Sequence, residues 1–489
     1  MSCQLNENTN FLTSLNTMPY STIDNSQGMG TSGTKPFLKK QIPIKSDKLD
    51  NFLLAQVAWC TVPALLLVRL GLFQAGSLWC FIFLIAFLTW YGLKRNIPAF
   101  VALTVASLPA LVYTRTFFLY NSILVLLALG LVFWLVRFPK ECLRLWDNHL
   151  IRWFFIMMTV YWGISVILTR LYYSNLSVME MFCSAASIYL LARHQRYLAT
   201  ALAGLGISIF SVAIGMIGQS ERLGMFDIDG VRLGNPLFLG LPTALFLLLA
   251  MADNGKWLFL ERSNIVRNTL IAMCGVFLLL STSRSSWLVV FVGIVVTVFF
   301  QSQQRWKVFF GILLMGCVLV GVLQTKSGEK VSKYFEMATD SQSTFSEKTS
   351  GRGQQWQLFP KILADSPIWG VGPGLGTEAY ASYSWMDKEV TFKQGQKFAW
   401  HSIYMQVGVE TGLIGLTILT IFLIKLIFKT LLYRKITRNV VPLAAILGFI
   451  MMGVAGHMLE GLSGLYLGLA FLGTTFPQKT HRDGNSSSP

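Results

Sequence analysis

The residues of this 489-residue sequence best suited to chemistry are a few arginines and a histidine in short polar settings between apolar runs. Arg232 sits in Val231-Arg232-Leu233-Gly234-Asn235-Pro236. Arg284 sits in the hydroxyl-rich Ser281-Thr282-Ser283-Arg284-Ser285-Ser286, and Arg352 in Gly351-Arg352-Gly353, four residues before Trp356. Arg222 is a candidate fourth. A guanidinium keeps its charge and binds phosphate bidentately, so several of them on one side would suit an anionic ligand. Taken singly, each reads as an arginine snorkelling from a helix end. His401 closes a polar stretch as Trp400-His401-Ser402 and, by itself, reads as an interfacial polar residue beside a tryptophan. His457 beside Glu460 reads as structural. Asp227 and Asp229 could offer oxygen ligands to a divalent cation, but carboxylates two apart are common in solvated loops, and no metal is expected.

The stretch before His401 has its own organisation. Trp356, Phe359, Ile362 and Leu363 recur at helical spacing between Gln354 and Ala364, which predicts a helix with an apolar face suited to lie on a membrane. Pro367 ends it. Gly370-Val371-Gly372-Pro373-Gly374-Leu375-Gly376 follows, without the preceding strand that a nucleotide loop requires, and reads as a tight turn bringing backbone close to a ligand at the membrane surface. Trp369, Trp385 and Trp400, with Tyr380 and Tyr383, fit either stacking on sugar rings or an interfacial aromatic role.

The elements that must position these residues are membrane helices. Hydrophobic residues make up 53% of the chain and charged residues 13%, about half the charged share of a soluble protein. Mean hydropathy is +0.55. About fourteen apolar runs approach the ~20 residues that cross a bilayer, the last two of which could form a re-entrant hairpin. The fold class is therefore all-α: a polytopic helical bundle with about 12–14 transmembrane helices and one large outer loop. The expected organisation is a polar, disordered cytoplasmic tail at 1–50 and a transmembrane bundle at 51–323. A large outer loop at 324–402, C-terminal transmembrane helices at 403–477 and a polar tail at 478–489 follow. The first apolar run begins only at Phe52, so the amino terminus does not read as a cleavable signal.

Alternate loops up to residue 307 carry thirteen Lys and Arg against six, and by the positive-inside rule the richer side is cytoplasmic. Arg222, Arg232, Arg284, Arg352 and His401 then share the outer face. The net charge of +17 is explained by topology, so no nucleic acid is expected as a partner. Seven cysteines without paired spacing indicate neither a zinc site nor a disulfide framework.

The ordered set Arg232 to Pro236, Ser283-Arg284, Gly351 to Trp356, Pro367 to Gly376, and His401 followed by Glu410-Thr411-Gly412 resembles the O-antigen ligase and polymerase superfamily of lipid-linked glycan transferases. The likeness covers roughly residues 200–430. It implies an inverting glycosyltransferase acting at the outer (periplasmic) face of the cytoplasmic membrane. The donor would be a glycan on undecaprenyl pyrophosphate, and the acceptor a glycan, lipid A–core or a protein. It further implies that Arg284 and Arg232 bind pyrophosphate and that His401 is the base. Arg352, Arg222, Trp356 and Glu410 would bind substrate, with the pattern looser around Arg352 and Glu410. Ser402 stands where many relatives carry Asn.

This chemistry is self-consistent. Pyrophosphate is a good leaving group whose developing charge guanidinium groups can stabilise without a cofactor, and a histidine can take the acceptor proton near neutral pH. Ligation is the leading expectation, ahead of polymerisation and protein O-oligosaccharyl transfer. A transporter or flippase is the rival from another class. It would call for charges at helix centres and an internal repeat; Glu180 is a rare such charge and no repeat is visible. A non-enzymatic assembly scaffold would leave the one-sided arginine and histidine set without a purpose.

Overall fold

A computed structural model of the chain describes residues 46–94, 96–114, 122–143, 146–169, 173–217, 237–252, 271–278, 283–300, 306, 313, 352–386, 400–455 and 461–475. The described residues form helices and connecting turns, and the chain is an all-α polytopic membrane protein. In chain order the helices are α1 (Ser46–Arg69), α2 (Phe73–Leu93), α3 (Ile97–Thr114), α4 (Ser122–Arg137), α5 (Pro139–Leu143), α6 (His149–Thr169), α7 (Tyr173–Leu191) and α8 (Gln195–Ile217). They continue with α9 (Leu237–Ala252), α10 (Arg284–Phe300), α11 (Arg352–Asp365), α12 (Gly376–Met386), α13 (Ile403–Thr437), α14 (Val441–Ala455) and α15 (Gly461–Leu472). Residues 271–278 are also helical.

Among the described residues, six helices are long and apolar enough to cross a membrane: α1, α2, α3, α6, α8 and α13. Six shorter apolar helices accompany them, α4, α7, α9, α10, α14 and α15. Burial separates centre from periphery. Every residue of α3 and α15 is buried, so these two sit inside the bundle with protein on all sides. By contrast α6 and α13 expose rows of large apolar side chains, such as Ile164, Ile167 and Leu168 on α6 and Ile418, Ile421, Ile424 and Phe428 on α13. An exposed apolar face of that length on a membrane helix faces lipid.

Glycine spacing explains how α15 fits. Gly464 and Gly468 lie against α7, where a Cβ on Gly464 would come within 2.3 Å of the Met181 carbonyl oxygen. A Cβ on Gly468 would come within 2.7 Å of the Ile188 Cβ. Small residues four apart let two membrane helices touch backbone to backbone, where dispersion rather than the hydrophobic effect holds them. Similar contacts join Gly204 of α8 to Ala106 of α3. Polar bonds fasten the rest: Tyr466 of α15 donates to the Leu241 carbonyl of α9 at 3.0 Å, and Tyr404 of α13 to the Ile450 carbonyl of α14 at 3.0 Å.

A second apolar cluster stands apart from the bundle core. Leu358 and Ile362 of α11, Tyr380 of α12, Trp400, and Met405 and Val409 of α13 pack together, with Phe359, Val371, Ala379 and Tyr383 against them. The helix expected at 354–364 is thus present as α11, but its apolar face was assigned to the wrong partner. Ile362 and Phe359 turn onto α12 and α13 rather than onto a membrane surface, because a partner contributed from 20–50 residues further along the chain covers them. Trp356, expected on the same face, is 46% exposed and lies outside that cluster.

Replacing Gly464 by valine is expected to force α15 off α7 and to lower the melting temperature of the detergent-solubilised chain, an overpacking cost of about 1–3 kcal/mol. Gly163, whose Cβ would meet nothing within 4 Å, is the control: Gly163→Ala leaves the melt near native. Equal melts for the two variants would contradict the packing described here.

Candidate functional site

The site is built around a break in α13. This helix runs 35 residues, about 52 Å at 1.5 Å per residue, well beyond the ~30 Å hydrocarbon core of a bilayer. At Gly412 the backbone leaves the helical region (φ 64°, ψ −161°). In an unbroken helix the Leu413 and Ile414 N–H groups would bond the Val409 and Glu410 carbonyls. Here all four groups are taken by the segment that follows α11. Leu413 N–H donates to Pro367 O at 2.8 Å and Ile414 N–H to Ile368 O at 3.4 Å, while Val371 N–H donates to Val409 O at 2.8 Å and Gly372 N–H to Glu410 O at 3.0 Å. The loop is spliced into the gap, and backbone groups that would be costly to leave unpaired are satisfied.

Glycine is obligatory at the crossing points. Gly412 and Gly370 both adopt positive φ, and a Cβ on Gly412 would lie 2.3 Å from Ile368 O, one on Gly370 2.5 Å from Val409 O. The close backbone approach expected of this glycine-rich turn is therefore made to the chain's own broken helix.

Glu410 anchors the turn. Its side chain is 1% exposed, and its carboxylate accepts from Gly374 N–H at 2.8 Å, from Gln406 Nε2 at 3.3 Å and from the Tyr161 hydroxyl of α6. Glu410, expected as a substrate contact, is placed by the structure in a buried position among protein donors. Gly376 opens α12 directly against it, since a Cβ there would lie 2.7 Å from Glu410 Oε1. The carboxylate thus sits at the amino end of α12, where an anion is favoured by the helix dipole.

Trp400 and His401 hang from the same turn. The Trp400 indole N–H donates to Gly376 O at 2.8 Å, and its ring meets Tyr380 edge-on, centroids 5.4 Å apart. Trp400 is 1% exposed and Tyr380 is buried, so these two pack against each other inside the protein, whereas Trp369 is 73% exposed. His401, partly buried, donates its backbone N–H to Gln355 Oε1 of α11 at 2.8 Å. Ser402 is the N-cap of α13, its Oγ accepting from Met405 N–H at 3.4 Å. Tyr383 of α12 closes the frame by bonding the Asp365 carboxylate at the end of α11, and that bond raises the phenol above its ordinary pKa.

Arg284 and Arg352 are the first residues of α10 and α11. Their side chains, and the whole of Arg222, Arg232, Asp227, Asp229, His457 and Glu460, lie outside the described residues. The backbone still locates two of the arginines. Arg352 precedes Gln355, the residue bonded to His401, by one turn of α11. Phe300 at the far end of α10 lies under the Arg434 guanidinium at 4.2 Å, near the far end of α13. Helix α10 therefore runs in the same direction as α13, with Arg284 toward the end that carries the break and His401. Before Arg284, the Ser283 hydroxyl bonds that of Ser286 at 2.7 Å, and Ser283 O accepts the Trp287 N–H at 3.1 Å, which opens the first turn of α10.

Among the described residues no three His, Cys, Asp or Glu side chains gather as metal ligands. Sequence reasoning missed Tyr161, Gln355 and Gln406. The last two are polar residues facing inward on amphipathic segments, a weak signal. Tyr161 is one hydroxyl within an apolar run, where nothing marks its partner.

Residues 269–420 match the family model described as O-antigen ligase. The matched stretch takes in Arg284, Arg352, the spliced loop, His401, Glu410 and Gly412, and leaves Tyr161 and Arg232 outside. No curated protein matches the chain.

Alanine at Gly412 or Gly370 should open the splice. A β-carbon forced into left-handed backbone costs about 1–2 kcal/mol before any clash, which is roughly a tenfold rise in the opened loop. Limited proteolysis of the 366–376 segment in native membranes reads this directly; cleavage as slow as in the native chain would contradict it.

Proposed function

We propose, for a chain whose residues 269–420 match the O-antigen ligase family model, an inverting glycosyl transfer from undecaprenyl pyrophosphate to an acceptor hydroxyl, with lipid A–core as the acceptor. The reaction takes place at the outer face of the cytoplasmic membrane. The observation that carries this reading is the fixing of His401. Its backbone is held by Gln355 on one side and by the capped start of α13 on the other, at the end of the bundle where α10 and α11 begin with arginine.

His401 takes the proton of the acceptor hydroxyl as the oxygen attacks the anomeric carbon. The bond from that carbon to the pyrophosphate oxygen breaks on the opposite face, and the configuration inverts. Histidine suits the task because its unperturbed pKa lies near neutrality. Arg284 and Arg232 bind the pyrophosphate and stabilise the charge that develops on it, and Arg352 and Arg222 assist. Arginine at a helix amino terminus is disfavoured by about 0.3–1 kcal/mol in the helix dipole. Its presence at the starts of both α10 and α11 is accounted for by a bound anion, which the terminus and the guanidinium attract together. Trp356, exposed beside the first turns of α11, offers an apolar face to the glycan.

His401→Ala is expected to lower transfer by about 10²–10⁴, and Arg284→Ala by about 10²–10³. Both are measured in membranes supplied with lipid-linked donor, at matched expression. The acceptor band that gains glycan identifies the acceptor. Full transfer by His401→Ala would overturn the assignment of the base.

A further inference from the structure

The loop that carries His401 is tied to a part of the chain outside the family match through a buried carboxylate. Helix α6 lies antiparallel along α13. Phe154 stacks on Phe422, ring centroids 5.4 Å apart, and seven residues later on α6 Tyr161 reaches Glu410. Glu410 is already engaged by Gly374 N–H and Gln406 Nε2. Gly374 stands two residues before Gly376, whose carbonyl holds the Trp400 indole next to His401. A hydroxyl on α6 is thus connected to the backbone of His401 through Glu410, the glycine turn and Trp400.

We propose that Tyr161 and Glu410 are a positioning pair for His401: the Tyr161 hydroxyl fixes the Glu410 carboxylate, and the carboxylate fixes the glycine turn from which Trp400 and His401 are suspended. The catalytic consequence rests on the transferase reading above; the structural part does not. Three features make Glu410 a positioner and not a substrate contact. It is buried. Its oxygens point at donors from three separate segments: α6, the turn before α12 and α13 itself. The glycine turn also leaves no room between itself and the carboxylate, as the 2.7 Å approach of a Gly376 Cβ to Oε1 shows. A carboxylate buried in a membrane helix persists when it is paired in this way.

The test compares the native chain, Tyr161→Phe, Glu410→Gln and the double variant, each as full chain in lipid nanodiscs. Tyr161→Phe removes one hydroxyl and nothing else. Glu410→Gln keeps the shape but turns an amide N–H₂ toward groups that are themselves donors. Hydrogen exchange, read on peptides covering 366–376 and 398–414, is expected to rise in both single variants, while peptides of α3 (Ile97–Thr114) stay as protected as in the native chain. Glycan transfer should then show a lower kcat, by as much as about 10²-fold for a misplacement near 1 Å, with KM for the donor nearly unchanged. The effects should not add in the double variant, because both act through one contact. Native exchange in the 366–376 and 398–414 peptides of Tyr161→Phe overturns the pair, as does additivity of the two substitutions. If the native chain transfers no glycan at all, the proposed function fails. The exchange arms still decide whether the pair holds the loop.

Discussion

A backbone that crosses a membrane cannot leave its N–H and C=O groups without partners, and the break in α13 meets that constraint by borrowing another segment's backbone. Four hydrogen bonds between residues 367–372 and residues 409–414 replace the two helical bonds lost at Gly412. Everything at the site follows from that exchange. The loop is pinned at a fixed height on α13, α12 starts immediately after it, and the residues preceding α13 are drawn back across it. The apolar cluster of α11, α12 and the first turns of α13 packs beside the splice.

The arrangement also explains why a carboxylate is found where a ligand was anticipated. The glycine-rich turn and the start of α12 present N–H groups to an anion, and the chain supplies that anion itself as Glu410. The remaining anion-seeking positions are the starts of α10 and α11, which carry Arg284 and Arg352. Helix amino termini thus have two uses: one is filled by the protein to hold its own loop, and under the proposed function the others receive a phosphate-bearing substrate. Under the proposed function, His401 is fixed before any substrate arrives, as proton transfer at a defined distance requires.

Much of the architecture was legible because membrane helices announce themselves through length and hydropathy. In the sequence, the apolar stretches at 97–113 and 151–169 coincide with α3 and α6 almost residue for residue. The apolar run at 403–428 stops short of the helix: α13 continues to Thr437, since Lys429, Arg434 and Lys435 end an apolar run without ending a helix. Helix α12 was not foreseen, its Gly, Ser and Tyr content giving no clear period. The positions of Gly370 and Gly412 were noticed as motifs, but their complementarity was invisible, because a splice pairs two segments about forty residues apart through backbone atoms that any sequence possesses. Ser402 was read as a departure from a common Asn. Both side chains serve as N-caps, so the departure leaves the start of α13 intact. Tyr161 and Glu410 lie 249 residues apart and could be joined only in three dimensions.

The splice itself is tested most directly by cross-linking in native membranes. Ile368 and Leu413 are both exposed and line one shallow apolar groove of about 320 Å³ beside the break. In a cysteine-free background, Ile368→Cys with Leu413→Cys should join efficiently through a short thiol cross-linker, as should a reference pair at Phe154 and Phe422, whose rings stack between α6 and α13. Cross-linking of the reference pair alone would contradict the account, for it would mean that α13 and α6 are assembled as described while the loop lies elsewhere.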